Sequence, residues 1–399
     1  MKKSFSDILS SLETGQKRRL AAKIPSWAGV DGIEIPSALS LEQCSSEAAA
    51  LYKASLLERL GVSGAQRSLA DLNCGLGVDA WAFALKAGKV YCNEMNPQLA
   101  ASDERNFARL GIRNVEFSCS DAALRLESLP QVDMIYLDPA RRNGIGRKVF
   151  LLEDCSPNVL EMLDALWEKT SLAMLKLSPM ADIAMLARRL DGLCEVHIVG
   201  IGGECKELLC ILKRGWAGPF RTFVVELAGG IHTEPAESGR GETSEGGRAE
   251  LGEGELRIAG HLPVAGDILL EPSAQILKYG KFGAVCSIFN LAQLDRFTHL
   301  YVLSGDTVGD GAEGAGLDAF FKKYRVLETA ALSKTAMKSL GEKYPQADVT
   351  ARNLPLTSEE LKRKMGIAGS GGAHIFGAGV LGERVLIVCE KMALPESVV

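Results

Sequence analysis

The chain has 399 residues, 47% of them hydrophobic and 24% charged, a composition that excludes a disordered protein and predicts two or three domains. Its formal charge of −5 is concentrated: Gly229 to Leu256 holds seven Glu against two Arg, and the rest balances at 43 basic and 43 acidic residues. A uniformly basic surface of the nucleic-acid-gripping kind is thereby excluded, while a local basic patch is not.

Residues 1–65 read as an N-terminal helical segment broken at Pro25 and Pro36, with one clear helix from Ser46 to Leu60 and Ser46 as its N-cap. From residue 66 to 228 the pattern changes to short apolar runs that end in polar or acidic residues: SLADLN, KVYCNE, VEFSCSD, VDMIYLDP and LAMLKLSP. Helix-length segments such as DAWAFALKAG separate them. This βα alternation predicts an α/β fold, a Rossmann-like doubly wound and mainly parallel sheet covered on both faces. VHIVGIGGECKELLCIL, divided by Gly202 and Gly203, predicts an antiparallel hairpin at the sheet edge. Residues 229–262 read as a Gly/Glu-rich linker. A smaller α+β domain is expected over 263–399, with helices near Ser273 and Leu317 and strands at THLYVLS, FKKYRVLE and RVLIVCE.

Ten cysteines from Cys44 to Cys389 include no C-x-x-C pair, and no two of the five histidines have metal spacing, so reduced thiols and no metal are expected. Lys2 and Lys3 lead into SFSDILSSLETG rather than an apolar leader, and no apolar run reaches ~18 residues. A cytoplasmic protein without a membrane partner is the expectation. Trp27, Trp81, Trp167 and Trp216 are expected in the core.

Ligands of such sheets bind beyond the carboxyl ends of the strands, where strand order reverses. The acids there are Asp71, Glu94, Asp121 and Asp138. Between Asp71 and Ala80 the loop contains Asn73 and the G-x-G-x-x-A spacing of Gly75, Gly77 and Ala80, which by itself fits a dinucleotide as well as other ligands. A strand ending in Asp71 disfavours a pyrophosphate and suits a ligand with an ammonium group, such as S-adenosylmethionine. Glu94 is placed to accept ribose hydroxyls, and Asp121 with Ala122 to meet an adenine amino group. Each acid taken alone reads equally as a helix N-cap.

With Tyr136-Leu137-Asp138-Pro139-Ala140-Arg141, these residues resemble a class I S-adenosylmethionine-dependent methyltransferase over about residues 45–225. EQCSSEAAALYKA and ADVTARNLPLTSEELKRKMGI resemble the corresponding parts of bacterial methyltransferases with a C-terminal THUMP-like domain. The resemblance implies S-adenosyl-L-methionine as methyl donor and RNA as substrate. It also implies that Asp138 and the Pro139 carbonyl accept the N–H groups of a base amine. Ala140 and Arg141 depart from the family's second proline and stacking aromatic, though Arg141 can stack or grip a phosphate. A base nitrogen is favoured over carbon, because the fifth run ends Lys176-Leu177-Ser178-Pro179 without a cysteine nucleophile; Cys155 stays open. Arg141, Arg142, Arg147 and Lys148, Lys17 to Lys23, and Lys362 to Lys364 form basic clusters that read as phosphate contacts or as solvated charge. Basic and acidic residues are in near balance after Pro263, so alternatives remain: a protein or small-molecule acceptor, an inactive RNA-binding module, or a dehydrogenase.

Overall fold

The computed structural model describes residues 15–141, 152–227, 245–303 and 317–392. Arg142, Arg147, Lys148 and the Arg141 side chain therefore lie outside the described residues, as does the 229–244 part of the expected linker. The chain divides into two compact units. One runs essentially to residue 245; the other comprises 246–399 with the short pieces 203–205 and 223–226.

In the first unit the parallel strands β1 (Gly64–Asp71), β2 (Ala87–Asn93), β3 (Val115–Ser118), β4 (Met134–Leu137) and β5 (Leu172–Leu177) are followed by β6 (Leu193–Ile201) and β7 (Glu204–Lys213). The sheet order is β3-β2-β1-β4-β5-β7-β6, with β7 antiparallel to β5. Strand order reverses between β1 and β4, which makes their carboxyl ends the ligand-binding edge. β4 is wholly buried, consistent with its unbroken MIYL sequence between helical layers. Gly202 (φ +63°) and Gly203 (φ +78°) turn the β6–β7 hairpin in the left-handed conformations that a two-residue loop requires. The expected hairpin is present but lies inside the sheet, because β8 (Arg221–Leu227) and β9 (Glu245–Leu251) continue the order past β6. β9 also occupies part of the stretch read as a linker.

Helices α1 (Glu47–Arg59), α2 (Val78–Ala84), α3 (Pro97–Arg109), α4 (Ala122–Ser128), α5 (Val159–Lys169) and α6 (Ile183–Arg189) cover the sheet. Ser46 caps α1, its hydroxyl accepting from the Ala49 amide at 3.3 Å. Upstream, Trp27 is fully buried against the edges of Trp81 and Phe107, which fastens the N-terminal segment to α2 and α3.

The second unit holds β10 (Ile268–Pro272), β11 (Leu291–Gln293), β12 (Tyr301–Leu303), β13 (Phe321–Ala331), β14 (Asp348–Arg352), β15 (His374–Val380) and β16 (Glu383–Lys391), in the order β11-β12-β10-β13-β16-β15-β14. Alternation along β16 gives the sheet two cores. Val385, Ile387 and Cys389 join one cluster with Phe376 and Tyr324, and Leu386 and Val388 join the other with Leu340, Leu361 and Met365. The Ser358–Met365 helix begins with a capping box between Thr357 and Glu360. Among the described residues no helix is long and apolar enough to cross a membrane.

Gly341 lies in the Lys334–Lys343 helix, where alanine ordinarily stabilises by about 1 kcal/mol. Here a Cβ would stand 1.8 Å from the Met365 carbonyl oxygen, so backbone must shift. Overpacking costs about 1–3 kcal/mol. Gly341→Ala is therefore expected to lower the thermal midpoint of the second unit; an unchanged or raised midpoint in calorimetry contradicts this packing.

Candidate active site

The loop after β1 is set by its glycines. Gly75 (φ +61°) and Gly77 (φ +78°) both adopt left-handed backbone conformations, and they serve different ends. A Cβ on Gly77 would meet the Phe107 ring at 2.8 Å, so this glycine lets α2 start against α3. A Cβ on Gly75 would meet nothing within 4 Å, leaving the loop open on that side.

Glu94 follows β2 directly. One carboxylate oxygen accepts from the Gly75 amide at 2.8 Å and the other from the Asn96 amide at 2.8 Å, which fixes the group against the open side of the loop. Asn93, absent from the sequence reading, ties three strand ends together. Its amide donates to the Leu72 and Ser120 carbonyls, and its oxygen accepts from the Ser118 and Ser120 hydroxyls. Asp121 is exposed and caps α4, accepting from the Ala123 amide at 2.8 Å, with Ala122 buried beside it as the first helical residue.

Asp71 is 1% exposed. One oxygen accepts from the Asn73 amide at 3.1 Å; the other has no hydrogen-bond partner among the described residues, and neither has the Asn73 side-chain oxygen. Burial pushes the Asp71 carboxyl well above the usual carboxylate range, and the charges of Asp79, Asp138 and Glu94 push it further. Asp103, on α3 beneath Gly77, is fully buried with neither oxygen partnered among the described residues. Burial, then Glu94 and Asp71, raise it in the same way.

Across β1 the charges are answered. Asp79 accepts from the Ser45 and Tyr136 hydroxyls, each at 2.8 Å, and faces the fully buried Lys53 ammonium at 3.1 Å. Lys53 also pairs with Glu207 at 2.8 Å and donates to Ser45 at 3.0 Å. Burial alone would raise Asp79, yet Lys53 and Lys176 hold it below the usual range. Lys176, on β5, pairs with Asp138 at 2.5 Å. Burial opposes its charge, but Asp138, Glu207 and Asp79 keep its pKa above the usual lysine value.

Asp138 and Pro139 open into a cavity of about 670 Å³ lined also by Lys23, Cys44, Lys176 and Ser178. The Lys23 ammonium donates to the Leu41 and Glu42 carbonyls at 2.9 and 2.5 Å, closing one wall with the N-terminal segment. Burial pushes the Cys44 thiol up to about 11, so it stays protonated at neutral pH. Cys155 is fully buried and faces Arg141 in a two-residue antiparallel ladder.

The fold thus brings Asp71, Asn73, Gly75, Gly77, Glu94, Asp138 and Pro139 to one edge, with Asp121 and Ala122 at the head of α4. The sequence reading missed Asn93, Asp79, Asp103, Lys53 and Lys176. Only Lys176 carried a local signal, as a lysine inside the apolar run LAMLKL. One expectation is corrected: the Cys74 and Cys92 sulfurs form a disulfide between the glycine loop and β2, and are not free thiols. Their spacing of 18 residues gives no paired motif, and only the parallel β1–β2 register brings them together.

A THUMP domain-like family matches residues 321–391, and a ferredoxin-like domain family matches residues 269–306. No curated protein matches the chain. Among solved structures, a proposed methyltransferase of Porphyromonas gingivalis W83 is 26% identical, with a TM-score of 0.78 over 96% of this chain and 89% of that one. An rRNA methylase of Streptococcus thermophilus is 15% identical over 41% of this chain and 93% of its own, with a TM-score of 0.31. A tRNA (m1A58) methyltransferase of Aquifex aeolicus is 14% identical over 46% of this chain and 72% of its own, with a TM-score of 0.32. The chain has the class I methyltransferase fold with a C-terminal THUMP-like domain.

Proposed function

We propose that the protein is an S-adenosylmethionine-dependent methyltransferase acting on RNA, with a base nitrogen as acceptor. The observation that carries this reading is the uneven treatment of charge at one sheet edge. Asp79 and Asp138 have lysine partners, whereas Asp71 keeps a buried oxygen with no partner among the described residues, beside a glycine loop open at Gly75. That is a fitting environment for a ligand with a cationic methionine part.

S-adenosylmethionine supplies the electrophilic methyl group. In the residues' own terms, Asp71 and Asn73 receive the ammonium end, and Gly75 and Gly77 let the backbone approach it. Glu94, held by two amides, has lone pairs left for the ribose hydroxyls. The free oxygen of Asp121, with Ala122, meets the adenine. The carboxylate of Asp138 and the carbonyl of Pro139 accept the N–H groups of the acceptor, orienting its lone pair toward the methyl. Lys176 is a positioning residue: it occupies one oxygen of Asp138 and leaves the other for substrate. Arg141 follows in the acceptor loop as the residue available to a flipped base or its phosphate.

Calorimetric titration with S-adenosylmethionine and NAD, followed by labelled-methyl transfer to total RNA, tests the reading. Donor binding with label in RNA is expected, and NAD bound in preference to the donor overturns it. Asp138→Ala is expected to lower transfer at least about a hundredfold with donor affinity little changed, the scale of a lost oriented contact at the reacting centre. Full turnover in that variant removes Asp138 from the acceptor site.

The raised Asp71 carboxyl also sets a pH dependence. Its stabilisation is complete below the unfolded value of about 3.9 and is lost as pH rises toward the folded value, by up to about 1.4 kcal/mol per pH unit. Asp71→Asn is expected to unfold later than the wild type in urea at pH 8, to differ little at pH 4, and to bind the donor more weakly. Equal midpoints at pH 8 contradict the cost of burial assigned to this carboxyl.

A further inference from the structure

A second cavity of about 770 Å³ lies at the opposite edge of the same sheet, where the parallel strands begin. Its lining includes Asp133 before β4, Leu172 at the start of β5 and Cys194 near the start of β6. The cavity inverts the charge of the chain: five cations line it against the two carboxylates of Asp133 and Glu195.

Three of those cations are engaged. Arg59 grips Glu195 through two nitrogens at 2.6 and 2.5 Å, Arg221 also pairs with Glu195, and Arg67 holds Asp133 at 2.8 Å. Lys213 and Arg214, consecutive at the end of β7, are exposed and make no side-chain ion pair among the described residues. Trp216 stands two residues on, 40% exposed where a core position was expected, with Trp167 of α5 on the same lining. Two indoles on the lining of one concavity, with two cations that lack an ion pair among the described residues, match a ligand with both a flat aromatic ring and a phosphate.

We propose that this cavity binds a nucleotide unit of single-stranded RNA, the base stacking on Trp216 and the phosphates meeting Lys213 and Arg214. The site is separate from the methyl-transfer edge and does not rest on the function proposed there. Aromatic stacking tolerates any base, so recognition here is of single-stranded character rather than sequence.

The test is fluorescence anisotropy of a labelled uridine pentamer with the full chain, alongside an abasic pentamer and tripolyphosphate as competitor. Trp216→Ala is expected to weaken uridine binding about tenfold and to leave abasic binding unchanged, as the loss of one stacked base implies. Lys213→Glu with Arg214→Glu is expected to weaken both by at least tenfold and to reduce the salt slope by about 1.4, or 0.7 for each phosphate contact. Because these side chains are exposed and make no ion pair among the described residues, S-adenosylmethionine affinity and the thermal midpoint should match the wild type. Wild-type uridine binding in both variants overturns the site, and so does tripolyphosphate competition with no effect of Trp216→Ala, which reduces it to a polyanion patch. If no label enters RNA while the pentamer binds with the expected variant losses, this site stands and the proposed reaction fails.

Discussion

Carboxylates gathered at the carboxyl edge of one sheet, Asp71, Asp79 and Asp103 of them buried, are the constraint around which the first unit is organised. The charges of Asp79, Asp138 and Glu94 all act on Asp71 there, and a fifth acid, Asp103, lies just beneath, under the charges of Glu94 and Asp71. Moving such charges out of water is costly unless each finds a cation or a set of hydrogen bonds. The chain answers on one side only. Lys53 from α1 and Lys176 from β5 neutralise the half that includes Asp79 and Asp138, and backbone amides hold Glu94. No lysine or arginine answers Asp71 or Asp103 among the described residues. On the proposed reading, the missing positive charge belongs to the methyl donor, so that binding it relieves a cost built into the empty fold.

The same asymmetry separates two kinds of site residue. Gly75 and Asp71 face open space or leave an oxygen unanswered, as expected of groups that meet a ligand. Gly77, Asn93 and Asp79 are engaged within the protein, by a ring, by three strand ends and by the charge of a buried lysine respectively. Within the 71–80 loop, Gly77 and Asp79 thus hold the loop in place, and Asp71 and Gly75 leave it open.

Much of this edge was legible in the sequence. Strand runs ending in Asp71, Asp138 and, one or a few residues on, Glu94 and Asp121 follow from a period of βα units, and chain order alone places those ends together. The glycine spacing was legible for the same reason, since left-handed backbone selects glycine. Lys53 and Asp79 were not, because each sits in an ordinary helix and owes its burial to a partner 26 or more residues away. Asp103 looks like surface charge among SDERN until α3 turns it inward against Gly77. The Cys74–Cys92 pairing and the strands beyond the hairpin likewise depend on register and sheet order, which no local pattern encodes. Trp216 misled in the other direction: an apolar ring predicted interior, and the turn that carries it leaves the ring at the surface.

The Lys53 ammonium has a further meaning for how the molecule comes together. Its partners are Ser45, eight residues before it, Asp79 in the first βα unit, and Glu207 on the strand that enters between β5 and β6. During synthesis the α1 lysine and the first βα unit emerge long before residue 207, leaving that ion set one carboxylate short. The ion set around Lys53 and the wall that Glu207 gives to the cavity at Asp138 therefore both wait for the hairpin to be inserted.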